Sequence, residues 1–139
     1  MSKFLDKVQP KNKKQLKQLI DYAFKHKQYD LNFIDTSKIT DMSYLFDNVN
    51  HNFDISCWDV SNVINTEFMF GFCNKFDCDL SYWDVSNVTN MYSMFTMCKN
   101  FKGKGLENWD VSKAEDIRYM FSGCDKMTIP NWYKLYHKK

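Results

Sequence analysis

Three cysteines, Cys73, Cys98 and Cys124, stand 25 and 26 residues apart in this chain. Four aspartates, Asp35, Asp59, Asp84 and Asp110, recur on nearly the same period. Thiolates and carboxylates are the groups that build metal sites and nucleophilic centres. A metal site needs its ligands clustered, and His26, His51 and His137 share no spacing with the cysteines. Val49 occupies the cysteine slot one period earlier, so the slot reads as a small buried hydrophobe. Cys57 and Cys78 lie off that ladder and are the expected exposed thiols. The aspartates have two readings. Each carboxylate accepts a hydrogen bond from the backbone two residues on, as an Asx-turn, or the column offers a cation site or a patch for a basic partner. Catalytic constellations are missing: Gly71, Gly103, Gly105 and Gly123 form no phosphate loop, and no Asp is set beside a His as a base. The sequence predicts a protein that is not an enzyme and carries no metal and no cofactor.

The elements that hold these residues follow from a repeat. Trp-Asp-Val-Ser occurs at Trp58, Trp83 and Trp109, and Ile34 opens a degenerate copy. With those four residues as position zero, apolar residues fall in register. Two on are Thr36, Val60, Val85 and Val111; five on are Ile39, Val63, Val88 and Ala114. Twelve on are Phe46, Phe70, Phe95 and Phe121, and fifteen on are Val49 and the cysteines. Such a period marks stacked supersecondary units. The Trp-Asp-Val-Ser segments are β-rich and predict short strands of a parallel ladder. The Met-Phe-x-x-Cys segments have i, i+1, i+4 spacing and predict a short helical turn. The expected fold is an α/β solenoid, a leucine-rich-repeat-like stack of about four units of 24–26 residues with an N-terminal capping helix. Trp58, Trp83, Trp109, Cys73, Cys98 and Cys124 form its structural core ladder. The capping helix is predicted over 12–27, where Leu16, Leu19, Ile20, Ala23 and Phe24 make one apolar stripe and Asn12 with Gln15 a capping box. Residues 1–33 are then a helical cap, 34–131 the repeats, and 132–139 an aromatic and basic tail that covers the last layer.

The wording Trp-Asp-Val-Ser-Asn-Val-Thr-Asn-Met at 83–91, followed by Met94-Phe95-x-x-Cys98-x-x-Phe101, resembles the repeat of BspA-like surface proteins and the repeat named for mycoplasma lipoproteins. The resemblance spans residues 34–131. It implies a leucine-rich-repeat-like solenoid of a kind found in bacterial, protist and viral proteins, several of them cell-surface adhesins. The first unit departs from the wording with Ile34-Asp35-Thr36-Ser37-Lys38-Ile39, and the fourth with Lys113-Ala114.

Charge narrows the partner. Residues 1–33 carry eight basic and three acidic side chains, residues 34–129 eight and fourteen, and residues 130–139 three and none. An acidic body repels phosphate, so the repeats are not expected to bind nucleic acid. No apolar run is long enough to span a membrane. The first residues lack a secretory h-region and the cysteine number is odd, which predicts a reduced cytoplasmic setting. That setting is the host cytoplasm for a phage or viral protein; a surface location requires a signal peptide already removed. The expected function is non-enzymatic binding of a protein partner, one with a basic surface, through the face of the stack. The alternatives are a phage- or virus-encoded inhibitor of a host defence protein, and a bacterial surface adhesin or a fragment of one. The partner surface is expected at positions nine and ten, where residues vary: Tyr44, Phe68, Tyr92, Tyr119, Glu67 and Arg118.

Overall fold

A computed structural model describes residues 7–136. The ends of the predicted cap and tail, residues 1–6 and 137–139 with His137 among them, lie outside the described residues. Two α-helices are present among the latter, α1 (Lys13–Lys25) and α2 (Asn131–Tyr136), with one 3-10 turn at Leu106–Asn108 and no β-strand. The α/β solenoid of strands and short helices is therefore not the fold. Parallel pairing is reduced to isolated bridges, Val8 with Ile34, Asp30 with Asp54, and the column Asp41, Asn65, Asn90, Asp116.

The reason lies in the turns. The first three units are each bent at three corners by an Asx-turn, in which a side-chain oxygen accepts the amide of the residue two on, and the fourth at two, with left-handed Gly105 in place of the first aspartate. In the second unit Asp54 accepts from Ser56, Asp59 from Ser61 and Asn65 from Glu67, at 2.9–3.0 Å. Corners this close together leave no extended run long enough for a strand. The Met-Phe-x-x-Cys segments are not helical either. Position ten is left-handed in every unit: Tyr44 (φ 59), Phe68 (φ 55), Ser93 (φ 51) and Tyr119 (φ 58). So is position fourteen: Asn48, Phe72, Met97 and Gly123 (φ 61 to 76). The amide of Leu45 donates to the Met42 carbonyl and that of Val49 to the Phe46 carbonyl. These are consecutive four-residue turns with a positive φ at the third residue, which type II geometry requires.

Stacking such turns gives each unit a wall whose hydrogen bonds run one way. Met42, Tyr44, Phe46 and Asn48 donate their amides to the carbonyls of Asn65, Glu67, Met69 and Gly71 in the next unit. Thr66, Phe68, Phe70 and Phe72 repeat the pattern, as do Met91, Ser93, Phe95 and Met97. The indole bonds run the other way. The indole Nε1 of Trp58, Trp83, Trp109 and Trp132 donates to the carbonyls of Leu31, Ile55, Leu80 and Leu106, one unit back.

Phe46, Phe70, Phe95 and Phe121 stack through the centre with centroids 5.7, 5.2 and 5.8 Å apart and planes within 9°. Each offset pair adds about 0.5–1.5 kcal/mol to the burial of the rings. α1 lies on the first layer. Asn12 caps it by accepting from the Gln15 amide, Leu16, Ile20 and Ala23 are buried, and Phe24 meets Phe46 and Phe53. On the last layer Trp132 stacks on Trp109 at 6.5 Å and Tyr133 meets Phe121 edge-on at 5.0 Å.

Candidate functional site

Position ten owes its outward aim to the left-handed backbone. At φ near +58° the Cβ of Tyr44, Phe68 and Tyr119 leaves the wall instead of joining the core. Tyr44 and Tyr119 are 50% and 60% exposed, and Phe68 is half-buried. Tyr44 stacks on Phe68 at 5.3 Å, and Phe68 meets Phe72 at 5.9 Å. The Phe68 ring also covers Gly71, where a Cβ would collide with it. Ser93 breaks the expected column, for it is buried. Its neighbour Tyr92 takes over, half-buried, edge-on to Tyr119 at 5.8 Å and under the Arg118 guanidinium at 5.3 Å. The wall thus carries two aromatic groups, Tyr44–Phe68–Phe72 and Tyr92–Tyr119. Phe72, 42% exposed, was not expected from sequence. Its signal was Gly123 at the same repeat position, which marks a left-handed site where a side chain cannot turn inward.

The charges among these rings are tied down. Glu67 accepts from the Tyr44 hydroxyl through one oxygen and from Asn90 Nδ2 through the other, both at 2.9 Å. The bond to Glu67 pushes the Tyr44 phenol above its ordinary pKa. Arg118 donates from Nε and Nη2 to both oxygens of Asp116, at 3.0 and 2.9 Å. That pairing holds the Asp116 carboxyl below its usual range. At the α1 end a cleft of about 480 Å³ lies between Lys13, Lys14, Lys17, Tyr44 and Leu45. Lys13 Nζ reaches the Ser43 carbonyl and hydroxyl and the Asp41 carboxylate.

The periodic thiols and carboxylates are structural in their contacts. Cys73, Cys98 and Cys124 are buried, and their thiols donate to the carbonyls of Phe46, Phe70 and Phe95 at 2.9–3.0 Å. Burial pushes the Cys73 thiol up to about 12 and the Cys124 thiol to about 11, and raises Cys98 further. A thiol held protonated is a poor nucleophile and a poor metal ligand. Cys78, expected outside, is buried as well, and burial puts it at about 12; Cys57 is exposed. Asp35, Asp59, Asp84 and Asp110 each accept the amide of the serine two residues on, at 3.0 Å. Asn62 and Asn87 extend the corner by donating to the carbonyls of Ser37 and Ser61 one unit back. Among the described residues no three His, Cys, Asp or Glu side chains converge as a metal set, and no helix is long and apolar enough to cross a membrane.

Residues 14–132 match the model of a family described as a Mycoplasma protein of unknown function, DUF285. No curated protein and no solved structure matches the chain.

Proposed function

The chain belongs to the Mycoplasma protein family of unknown function DUF285, and from that premise we propose that it is a non-enzymatic module that binds a protein partner through the outer face of its turn wall. The observation that carries this reading is the aromatic pair Tyr44–Phe68, stacked on the outside of the molecule by left-handed backbone. Backbone in that conformation costs about 1–2 kcal/mol per non-glycine residue. Rings so held are pre-organised, which lowers the ordering cost of docking. Aromatic anchors dominate binding energy in protein interfaces. The partner surface is complementary to an acidic body, since residues 34–129 carry fourteen acidic and eight basic side chains. Glu67, Asp41 and Asp47 are the acidic groups nearest the Tyr44–Phe68 pair in sequence. We read residues 83–101 as a BspA-like repeat on their wording alone, without the leucine-rich-repeat fold that wording implies.

The test is a triple variant, Tyr44→Ala, Phe68→Ala and Tyr119→Ala, used as bait beside the unchanged chain. Alanine keeps a Cβ at each left-handed position, so the backbone cost is unchanged. Partners captured by the parent and identified by mass spectrometry should be lost from the variant, while thermal melting stays cooperative. Equal capture by a folded triple variant places the partner surface elsewhere.

A further inference from the structure

The aromatic column of the turn wall has one uncovered ring face. Tyr44 lies on Phe68 of the second unit at 5.3 Å, with the two planes 25° apart, and its hydroxyl donates to Glu67 of that same unit. Phe68 thus covers the side of Tyr44 that faces the repeats. The next ring of the column would belong to a layer before the first unit, and α1 stands there instead. The cleft of about 480 Å³ lies between α1 and Tyr44, bounded by Lys13, Lys14, Lys17, Ser43, Tyr44 and Leu45. The column therefore stops one ring short of the helix, at a residue that is 50% exposed.

The chemistry of the cleft selects an uncharged, flat group. Leu45 is buried, and lysine side chains lay their methylene stems along apolar surface while the ammonium groups reach outward. Lys13 is paired with Asp41 at 3.3 Å and with the Ser43 hydroxyl at 2.9 Å, and Lys17 with Asp21 at 3.0 Å. Asp47 also feels the charge of Lys17. Among the described residues Lys14 has no acidic partner. Three lysines thus stand among three carboxylates. An acidic occupant would face Asp41 and Asp47, and a cationic one would face the lysines. A neutral ring meets neither repulsion. An ammonium near a ring face is attracted by the ring quadrupole, so Lys14 gains a partner from an aromatic occupant that carries no charge.

We propose that this cleft receives an aromatic side chain of the protein partner, a Trp, Tyr or Phe, which lies on the open face of Tyr44 and adds one ring to the column. The inference rests on the reading of the turn wall as the partner surface, and it names the anchor that the partner brings. Binding anchors on the two sides of an interface tend to pair with one another. Here the pairing is offset stacking against Tyr44, with Lys14 beside the ring. The left-handed backbone at Tyr44 holds the receiving ring in place before docking. A neutral anchor at this end leaves the partner's basic groups to the acidic repeats.

The test uses the isotope-labelled full chain and N-acetyl-tryptophanamide as an uncharged probe, followed by nuclear magnetic resonance. Titration should move the signals of Lys14, Tyr44 and Leu45 saturably by ring current, and added salt should change the affinity little. Tyr44→Ala should weaken the probe about two- to tenfold, as loss of a stacked pair does, and Tyr44→Phe should restore it. Lys14→Gln should weaken it about two- to fivefold, as loss of an exposed cation–ring contact does. Four results would each overturn the proposal. One is silence at those three residues. Another is an equal response to N-acetyl-leucinamide, which has no ring. The third is binding of anionic N-acetyl-tryptophan without binding of the amide. The fourth is self-association of the parent chain that Tyr44→Ala abolishes, which would make the occupant a second copy. Failure here is separable from failure of the partner surface. Silence toward the probe, with partners lost from the folded triple variant, removes the cleft and leaves the wall. Full capture by the triple variant removes both.

Discussion

The corner wall and the turn wall of this molecule solve the same stacking problem by opposite means. At the corners, side chains share the joining: indole N–H groups and asparagine amides reach one unit back to main-chain carbonyls, beside main-chain bonds such as Ile64 to the Thr40 carbonyl and Thr89 to that of Ile64. In the turn wall the main chain joins itself, each unit donating one unit forward. A side-chain staple needs a particular residue, so Trp and Asn recur by name. A main-chain rung needs only a backbone conformation, so positions ten and fourteen hold Tyr, Phe, Ser, Asn, Met or Gly. The difference teaches where sequence freedom lies. Freedom collects in the wall whose architecture is written in φ, and that wall is where the exposed rings are found.

The largest effect should come from the element both walls share, the phenylalanine stack. Phe95 is fully buried, 5.2 Å from Phe70, 5.8 Å from Phe121 and 4.6 Å from Phe101. Phe95→Ala should cost about 3–5 kcal/mol, the range for a buried ring removed from a packed core. Urea denaturation measures it. A loss under 1 kcal/mol would mean that the layers are held apart from their centre.

The second prediction separates the walls. Trp83→Phe keeps an aromatic ring under Trp109 but removes the donor to the Ile55 carbonyl. The expected loss is about 1–3 kcal/mol, from one hydrogen bond and the space left by the smaller ring. Cys98→Val tests the same idea on the other side of the core. The thiol bond to the Phe70 carbonyl is lost, but Val49 already fills that slot in the first unit. The loss there should stay near or below about 1 kcal/mol. If the cysteine change proves the costlier, thiol bonding and not volume shapes the turn wall.

These residues also mark what the sequence makes legible. Register, period and core positions are written in side-chain size: Trp58, Val60, Val63, Met69, Phe70 and Cys73 repeat at fixed intervals and all are buried. The backbone between them is not so written. The spacing of Leu45-Phe46 to Val49 suits a helical turn as well as two tight turns, and the deciding quantity is the sign of φ at Tyr44 and Asn48. Tyr, Phe, Ser and Met declare no left-handed preference. Only Asn48 and Gly123 do, one unit each, and neither sits at position ten. For the same reason the burial of Ser93 was hidden. It holds a variable position, but a serine is too short to stand beyond the wall. The missing strands follow likewise. The Asp-x-Ser corners are plain in the sequence, yet three corners in each of the first three units, and two with left-handed Gly105 in the fourth, cut every extended segment short, and that density emerges only when Asp41, Asn65, Asn90 and Asp116 are seen as a further column.

Position fourteen supplies the third test. Gly123 (φ 76) is the one glycine in its column, and a Cβ there would meet the sulfur of Met97 one unit back. Gly123→Ala should cost about 1–2 kcal/mol from the left-handed backbone alone. Asn48→Gly, at the matching exposed position of the first unit, should gain a few tenths of a kcal/mol or nothing, since Asn already tolerates φ 64. A gain at 48 as large as the loss at 123 would show that the wall is strained throughout and not pre-organised.

The smallest effect belongs to the corner carboxylates, and it carries a sign. Hydrogen bonds from Ser86 hold the Asp84 carboxyl below its ordinary pKa; hydrogen bonds from Ser37 do the same for Asp35 and from Ser81 for Asp79. At Asp54 burial raises the carboxyl, but the bonds from Ser56 outweigh it. Among the described aspartates Asp47 alone is pushed the other way, by burial. A depressed carboxyl gives stability that is whole above the unfolded pKa, about 3.9 for Asp, and is lost as pH falls through the folded value. With seven carboxyls depressed among the described residues, Asp41, Asp110 and Asp116 joining these four, against one raised, the melting temperature should be level at neutral pH and fall below about pH 4. Asp84→Ala should cost about 1 kcal/mol at pH 7, the worth of the corner bond. Asp84→Asn keeps an oxygen for the Ser86 amide and should cost less, while flattening part of the acid slope, because an amide cannot be protonated in that range. An Asp84→Asn protein as unstable as Asp84→Ala would mean that the negative charge, and not the geometry of the turn, is what the repeated aspartate supplies.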